Sequence, residues 1–210
     1  MLPKKKKTFY LDKDEKKPVV AGGVILYRFV KDQHMELLLI ESRGNYEDFG
    51  GCADDDDENI FAMVAREAFE ESNKLLDFEL IKKRLTRAQF AYAEKSKYVV
   101  YVIKATKGEE RLNGSDFGDK EIHDNIARLV KWIPLDTFLM KEVIQNKLNW
   151  RLKNTTLFNI LKDIKNDKKC DTSMFSNSSK NSKSDSDNDR SDISDIKIPK
   201  KSLFNKHQKS

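Results

Sequence analysis

Cysteine is scarce, with only Cys52 and Cys170 in 210 residues. That excludes a disulfide framework and favours a reducing, intracellular compartment, the cytoplasm ahead of the nucleus. No apolar run approaches the roughly 20 residues of a membrane helix, so a soluble chain without a membrane partner is expected. A secretory signal needs an apolar segment of about 7–15 residues, whereas Met1-Leu2-Pro3 runs straight into Lys4–Lys7. The three histidines, His34, His123 and His207, stand at no metal-ligand or triad spacing and receive no catalytic role. Hydrophobic residues make up only 38% of the chain against 36% charged, too apolar-poor for a chain folded throughout. One domain with tails is expected.

The net charge of +5 favours polyanionic partners, substrate phosphates included. Residues 1–17 are lysine-rich and read as an unstructured basic arm, and the Ser-, Asp- and Lys-rich stretch 171–210 reads as a disordered tail. Between them, 18–168 reads as the folded domain. Pro18–Phe29 and Met35–Ile40 form a strand hairpin, and Tyr98–Ala105 is apolar enough to lie inside a sheet. Asp77–Leu85 is open between strand and helix. Arg87–Ala93 and Leu129–Leu135 read as strands. Asp136 is expected to cap a helix running to about Gln145, and Thr155 or Thr156 to cap another. Strands and helices thus mix without a regular βαβ alternation, which gives an α+β sandwich.

The chemistry concentrates between Gly50 and Glu71. A glycine loop and the acidic run Asp54–Asp57 lead to a helix starting near Glu58 or Asn59. Ile60, Phe61, Val64 and Ala68 give that helix an apolar face. Residues three and four apart share a side of a helix, so Glu67, Glu70 and Glu71 converge. Such a cluster of like charge calls for a cation. Hard carboxylate oxygens without His or Cys suit Mg²⁺ or Mn²⁺, which leave positions for substrate phosphate. The aspartate run itself reads as a solvated flank. Tyr46, Phe49, Phe90, Tyr92 and Trp132 read as core aromatics.

Gly51, Glu58 and Arg66-Glu67-Ala68-Phe69-Glu70-Glu71 resemble the signature of the Nudix hydrolases, G-x5-E-x7-R-E-U-x-E-E-x-G-U, where U is a bulky apolar residue. Ala21–Leu26 and Trp132-Ile133-Pro134-Leu135 are similar to strands of that family. The resemblance covers roughly residues 18–165 and implies an α/β/α sandwich with a mixed sheet and a loop–helix–loop catalytic motif. It also implies metal held by Glu67, Glu70, Glu71 and the Gly50 carbonyl, with Arg66 and Glu58 orienting loop and helix. A further acidic residue beyond the helix is implied as an assistant, and Glu121 is favoured. The implied reaction is hydrolysis of a diphosphate linkage in a nucleoside diphosphate joined to another group. Capped RNA held by the basic arms, diphosphoinositol polyphosphates, and a non-catalytic nucleotide- or RNA-binding module are the alternatives.

The sequence departs from the signature in the loop. Six residues separate Gly51 from Glu58 where the family has five, so either the loop carries an insertion or Asp57 replaces the glutamate. The insertion is preferred because Glu58 keeps its distance to Arg66. Ala68 is small for its position, and Asn73 stands at the later glycine, where it can adopt a left-handed conformation.

Overall fold

Alternating apolar residues on neighbouring strands make a sheet with two greasy faces, and each face needs its own cover of helices. The computed structural model describes residues 7–11, 16–121 and 126–176. Its elements run in the order β1 (Phe9–Tyr10), β2 (Pro18–Val19), β3 (Ala21–Phe29), β4 (Met35–Ser42), β5 (Asn45–Glu47), β6 (Phe49–Cys52), α1 (Ile60–Glu71), α2 (Phe78–Leu85), β7 (Gln89–Ala93), β8 (Tyr98–Lys104), β9 (Leu129–Pro134), α3 (Leu135–Phe138), α4 (Lys141–Asn146) and α5 (Thr155–Ser176).

β3 organises the sheet. Its C-terminal half pairs antiparallel with β4, from Leu26↔Leu38 to Phe29↔Met35. Its N-terminal half instead pairs antiparallel with β6, from Ala21↔Cys52 to Val24↔Phe49. The other edge of β3 runs parallel to β8, and β7 and β9 extend the sheet beyond β8 and β4. The sheet is therefore mixed. Val24, Leu26, Leu38, Val99 and Tyr101 face α1 and α2 on one side. Ile25, Leu37, Leu39, Val100 and Val102 face α3, α4 and α5 on the other. The result is an α+β fold in three layers, α/β/α, with a core on each face of the sheet.

Several local expectations are corrected. The glycine stretch Gly50-Gly51 is not a loop but the middle of β6. Its register against β3, Gly22↔Gly51 and Gly23↔Gly50, makes it a strand. Asp77–Leu85 resolves as helix α2, with the Asp77 side chain accepting from Leu80 N–H. Asp136 lies in the first turn of α3 and not at its N-cap, which is Pro134, and the expected helix breaks at Leu139–Met140 into α3 and α4. At α5 the cap is Asn154, whose Oδ1 accepts from Thr156 N–H at 2.9 Å. That helix runs to Ser176, into the stretch expected to lack structure from 171.

The N-terminal arm is also more structured than expected. Phe9 and Tyr10 pair with Val19 and Pro18, and Lys7 Nζ donates to the Asp55 and Asp57 carbonyls at 2.7 and 2.5 Å. The lysine run 4–6 and the tail from 177 onward, with its basic residues at 200–209, lie outside the described residues. Among the described residues no helix is long and apolar enough to cross a membrane.

Leu26 has no exposed surface, whereas Leu129 at the sheet margin is 51% exposed. Leu26→Ala is therefore expected to lower the urea-unfolding free energy by about 2–5 kcal/mol, and Leu129→Ala by less than about 0.5 kcal/mol. Equal losses would contradict the described packing.

Candidate active site

Helix α1 begins where Asn59 stops the loop. The Asn59 side chain accepts from Ala62 N–H at 3.0 Å, and Ile60, Val64 and Ala68 lie buried against the sheet. At the other end Ser72 closes the helix and Asn73 turns left-handed, with φ 55°. Its Nδ2 donates to the carbonyls of Phe117 and Lys120 at 2.6 and 2.9 Å. The asparagine at the family's glycine position thus makes the turn and ties the helix end to the later loop.

Arg66 is the hub of the loop–helix junction. Its Nε and Nη2 each donate at 3.0 Å to the two carboxylate oxygens of Asp57. Nη2 also reaches the Cys52 carbonyl at 3.0 Å, and Nη1 meets Glu67 Oε1 at 2.9 Å and Glu70 Oε2 at 3.2 Å. The fork with Asp57, joined by Glu67 and Glu70, holds the guanidinium pKa above its ordinary value against burial.

The loop carboxylate that meets Arg66 is therefore Asp57 and not Glu58, which corrects the preferred reading of the spacing. Glu58 precedes the Asn59 cap, so it stays outside the helix and turns to Lys82 of α2, with 73% of its side chain exposed. Asp57 is only 4% exposed and also accepts from Asp54 N–H at 2.7 Å. It is not part of a solvated flank. With Asp57 in the glutamate's place, five residues separate it from Gly51, and the extra residue falls before Arg66.

Two glutamates of α1 lie on the backbone of β6. Gly50 N–H donates to Glu71 Oε2 at 2.7 Å. The Glu67 carboxylate occupies the space that a Cβ on residue 51 would need. Glu70, by contrast, is turned to Arg66. Burial pushes the Glu67 pKa up to about 7, with Arg66 opposing and Glu70 and Asp57 adding to the rise. Burial also carries Glu71 well above the ordinary range; the Gly50 N–H opposes this, and the charges of Glu67, Asp48 and Glu121 reinforce it.

Sequence reasoning missed three further residues here. Asp48 is fully buried, and Tyr98 donates its hydroxyl to Asp48 Oδ2 at 2.7 Å. Burial raises its pKa, and the Arg151 charge works against the rise. Arg151 lies over the Tyr98 ring at 4.9 Å and reaches the Gly50 carbonyl at 3.4 Å. Arg128 is enclosed beside Glu71 and Glu121. The one available signal was a charge embedded in apolar sequence, as in Ile126-Ala127-Arg128-Leu129-Val130. The aromatic residues divide differently. Tyr46 and Phe49 are buried, whereas Phe90 is 43% exposed and lines a cleft of about 370 Å³ with Phe9, Tyr10, Phe61 and Tyr101, away from the glutamates.

Among the described residues no three His, Cys, Asp or Glu side chains form a metal-holding group. What fits a divalent ion is narrower: Glu67 and Glu71, two enclosed carboxylates, the charge of the first raising the cost of ionising the second, with the Gly50 carbonyl nearby. All are hard oxygens of the kind Mg²⁺ and Mn²⁺ take. Glu70 joins only on leaving Arg66.

No family model matches the chain, and no curated protein matches it. A solved structure is similar. It is the crystal structure of a Nudix hydrolase from M. smegmatis, RenU, at 13% identity, covering 70% of this chain and 85% of that one, with a TM-score of 0.38.

Two outcomes follow from the geometry. Asp57→Asn is expected to cost about 1–3 kcal/mol in chemical denaturation because it breaks the two-pronged charged contact that ties the loop to a part-buried guanidinium, whereas Glu58→Gln changes stability by less than about 0.5 kcal/mol; the reverse order would restore Glu58 to Arg66. For Glu67 the folded pKa lies above the unfolded one, so its contribution is full below the ordinary value of 4.5 and is lost as pH rises through about 7. In EDTA, the melting temperature of the wild type relative to Glu67→Gln should fall between pH 5 and pH 8. A margin that grows over that range would refute the burial of this carboxylate.

Proposed function

We propose that the chain is a divalent-metal-dependent hydrolase of the Nudix type, cleaving the diphosphate linkage of a nucleoside diphosphate joined to another group. The observation that carries this reading is the pair of α1 carboxylates, Glu67 and Glu71, laid on the Gly50-Gly51 backbone. These two residues hold Mg²⁺ or Mn²⁺, with the Gly50 carbonyl and Glu70 as further oxygen donors. When bound, the ion polarises phosphoryl oxygens and lowers the pKa of a water. Asp57 and Arg66 keep the loop on the helix, so the carboxylates stay against β6. Glu121, whose charge acts on Glu71, is the assisting carboxylate from the later loop. Its carboxylate accepts a proton from the attacking water.

The engagement of Glu70 by Arg66 favours one competing reading, a nucleotide-binding module without turnover. A screen of purified full chain with Mg²⁺ or Mn²⁺ separates the two, run across nucleoside triphosphates, nucleotide sugars, dinucleoside polyphosphates, diphosphoinositol polyphosphates and capped RNA. Hydrolysis of at least one diphosphate substrate is expected, with Glu71→Gln lowering kcat by a factor on the order of 100–1,000. Turnover that survives this change or EDTA would remove the assignment. Tight metal-independent nucleotide binding without turnover would favour the module.

A further inference from the structure

One charged side chain in the site has no hydrogen-bond partner for its guanidinium among the described residues. Arg128 enters β9 from the preceding loop, where its backbone N–H donates to the Asp119 carbonyl at 2.8 Å. Only 4% of the residue is exposed. None of its three guanidinium nitrogens has a hydrogen-bond partner among the described residues. A guanidinium carries five N–H donors in a flat fork, so a full set of donors is enclosed with nothing to receive them. Enclosing a charge without a partner is costly, and a position of this kind calls for a ligand.

The neighbours indicate what the ligand is. Glu71 and Glu121 lie near enough for their charges to act on Arg128, yet neither is bonded to its nitrogens. Glu71 has given one oxygen to Gly50 N–H. An ion held by Glu71 would cancel the carboxylate charge that now faces Arg128, leaving the guanidinium without a compensating anion. A phosphoryl group supplies one, and its oxygens match the fork two at a time. A single water would leave most of the donors unpaired.

We propose that Arg128 is a phosphate-binding residue, its guanidinium gripping the oxygens of one phosphoryl group of a diphosphate ligand beside Glu71. The assignment rests on the hydrolase reading above for its ligand class. It adds a positive contact on the β9 side of the site to the carboxylates contributed by α1. Arg128 thereby positions the substrate relative to Glu71 and takes no proton itself.

Methylenebisphosphonate, a diphosphate that cannot be hydrolysed at its bridge, is the probe. Its binding to the full chain in saturating Mg²⁺ is measured by titration calorimetry for wild type, Arg128→Gln and Arg128→Lys. Arg128→Gln is expected to weaken binding about 30-fold or more, with Arg128→Lys between it and the wild type. Mn²⁺ affinity without the bisphosphonate, read by electron paramagnetic resonance, is expected to stay the same or tighten in Arg128→Gln, because a positive charge has left the site.

Unchanged bisphosphonate affinity in Arg128→Gln would overturn the assignment. So would a parallel loss of Mn²⁺ and bisphosphonate affinity, which marks a merely structural residue. Should the glutamine variant not fold, the Arg128 Nε–H resonance of the wild type, assigned through Arg128→Lys, must move when the bisphosphonate is added; a fixed resonance overturns the proposal. Bisphosphonate binding through Arg128 in a chain that hydrolyses no diphosphate would sink the hydrolase reading while leaving this assignment in place.

Discussion

Two glycine pairs facing each other across adjacent strands, Gly22 against Gly51 and Gly23 against Gly50, set the dimensions of the site. A Cβ on residue 23 or 50 would strike the Tyr98 hydroxyl, and one on residue 51 would strike the Glu67 carboxylate. Removing side chains at these four positions lets two kinds of group come close to bare backbone. On one face Asp48 and Tyr98 pack beneath the strands; on the other, helix α1 rests its carboxylates on β6. The remaining architecture serves this approach. β3 pairs with β4 through only part of its length, which frees its N-terminal half to take β6, and the apolar face of α1 fixes the helix across both.

Charge then decides what the approach can do. Arg66 engages Asp57, Glu70 and one oxygen of Glu67, so the carboxylates at the junction of loop and helix share one internal cation. Arg151 does the same under the sheet, where it works against the desolvation of Asp48. Between these two arginines Glu67 and Glu71 remain under-compensated, and the burial that holds them in place also raises their pKa values. A compact cation is the partner such a pair accepts with least rearrangement. The unpaired Arg128 beside them has the opposite need. An acidic pair and an enclosed guanidinium at one place suit a ligand that brings metal and phosphate together.

Much of this was legible in the chain. Strand period and apolar content located β3, β4 and β8, and the i, i+3, i+4 pattern located α1 with its buried face. The spacing of Arg66, Glu67, Glu70 and Glu71 carries the proposed chemistry. What failed did so for physical reasons. Gly50 and Gly51 have poor intrinsic strand preference, and only their pairing with Gly22 and Gly23, distant in sequence, makes β6 a strand. Distance along the chain to Arg66 favours Glu58 over Asp57, but distance along the chain is not distance in space. The Asn59 cap sets where the helix begins, and the turn before it brings Asp57 inward while Glu58 points out. Arg128, Arg151 and Asp48 owe their roles to burial, which a single charged letter does not announce. The asparagine at position 73 was readable because left-handed backbone is a local property of the residue.

The proposed function requires Glu67 and Glu71 together to hold a divalent ion against β6. Anomalous diffraction from crystals of the full chain grown with Mn²⁺ tests it most directly. A manganese peak touching both carboxylates beside Gly50 is expected. A peak elsewhere, or none at a Mn²⁺ concentration that saturates binding in solution, would contradict it.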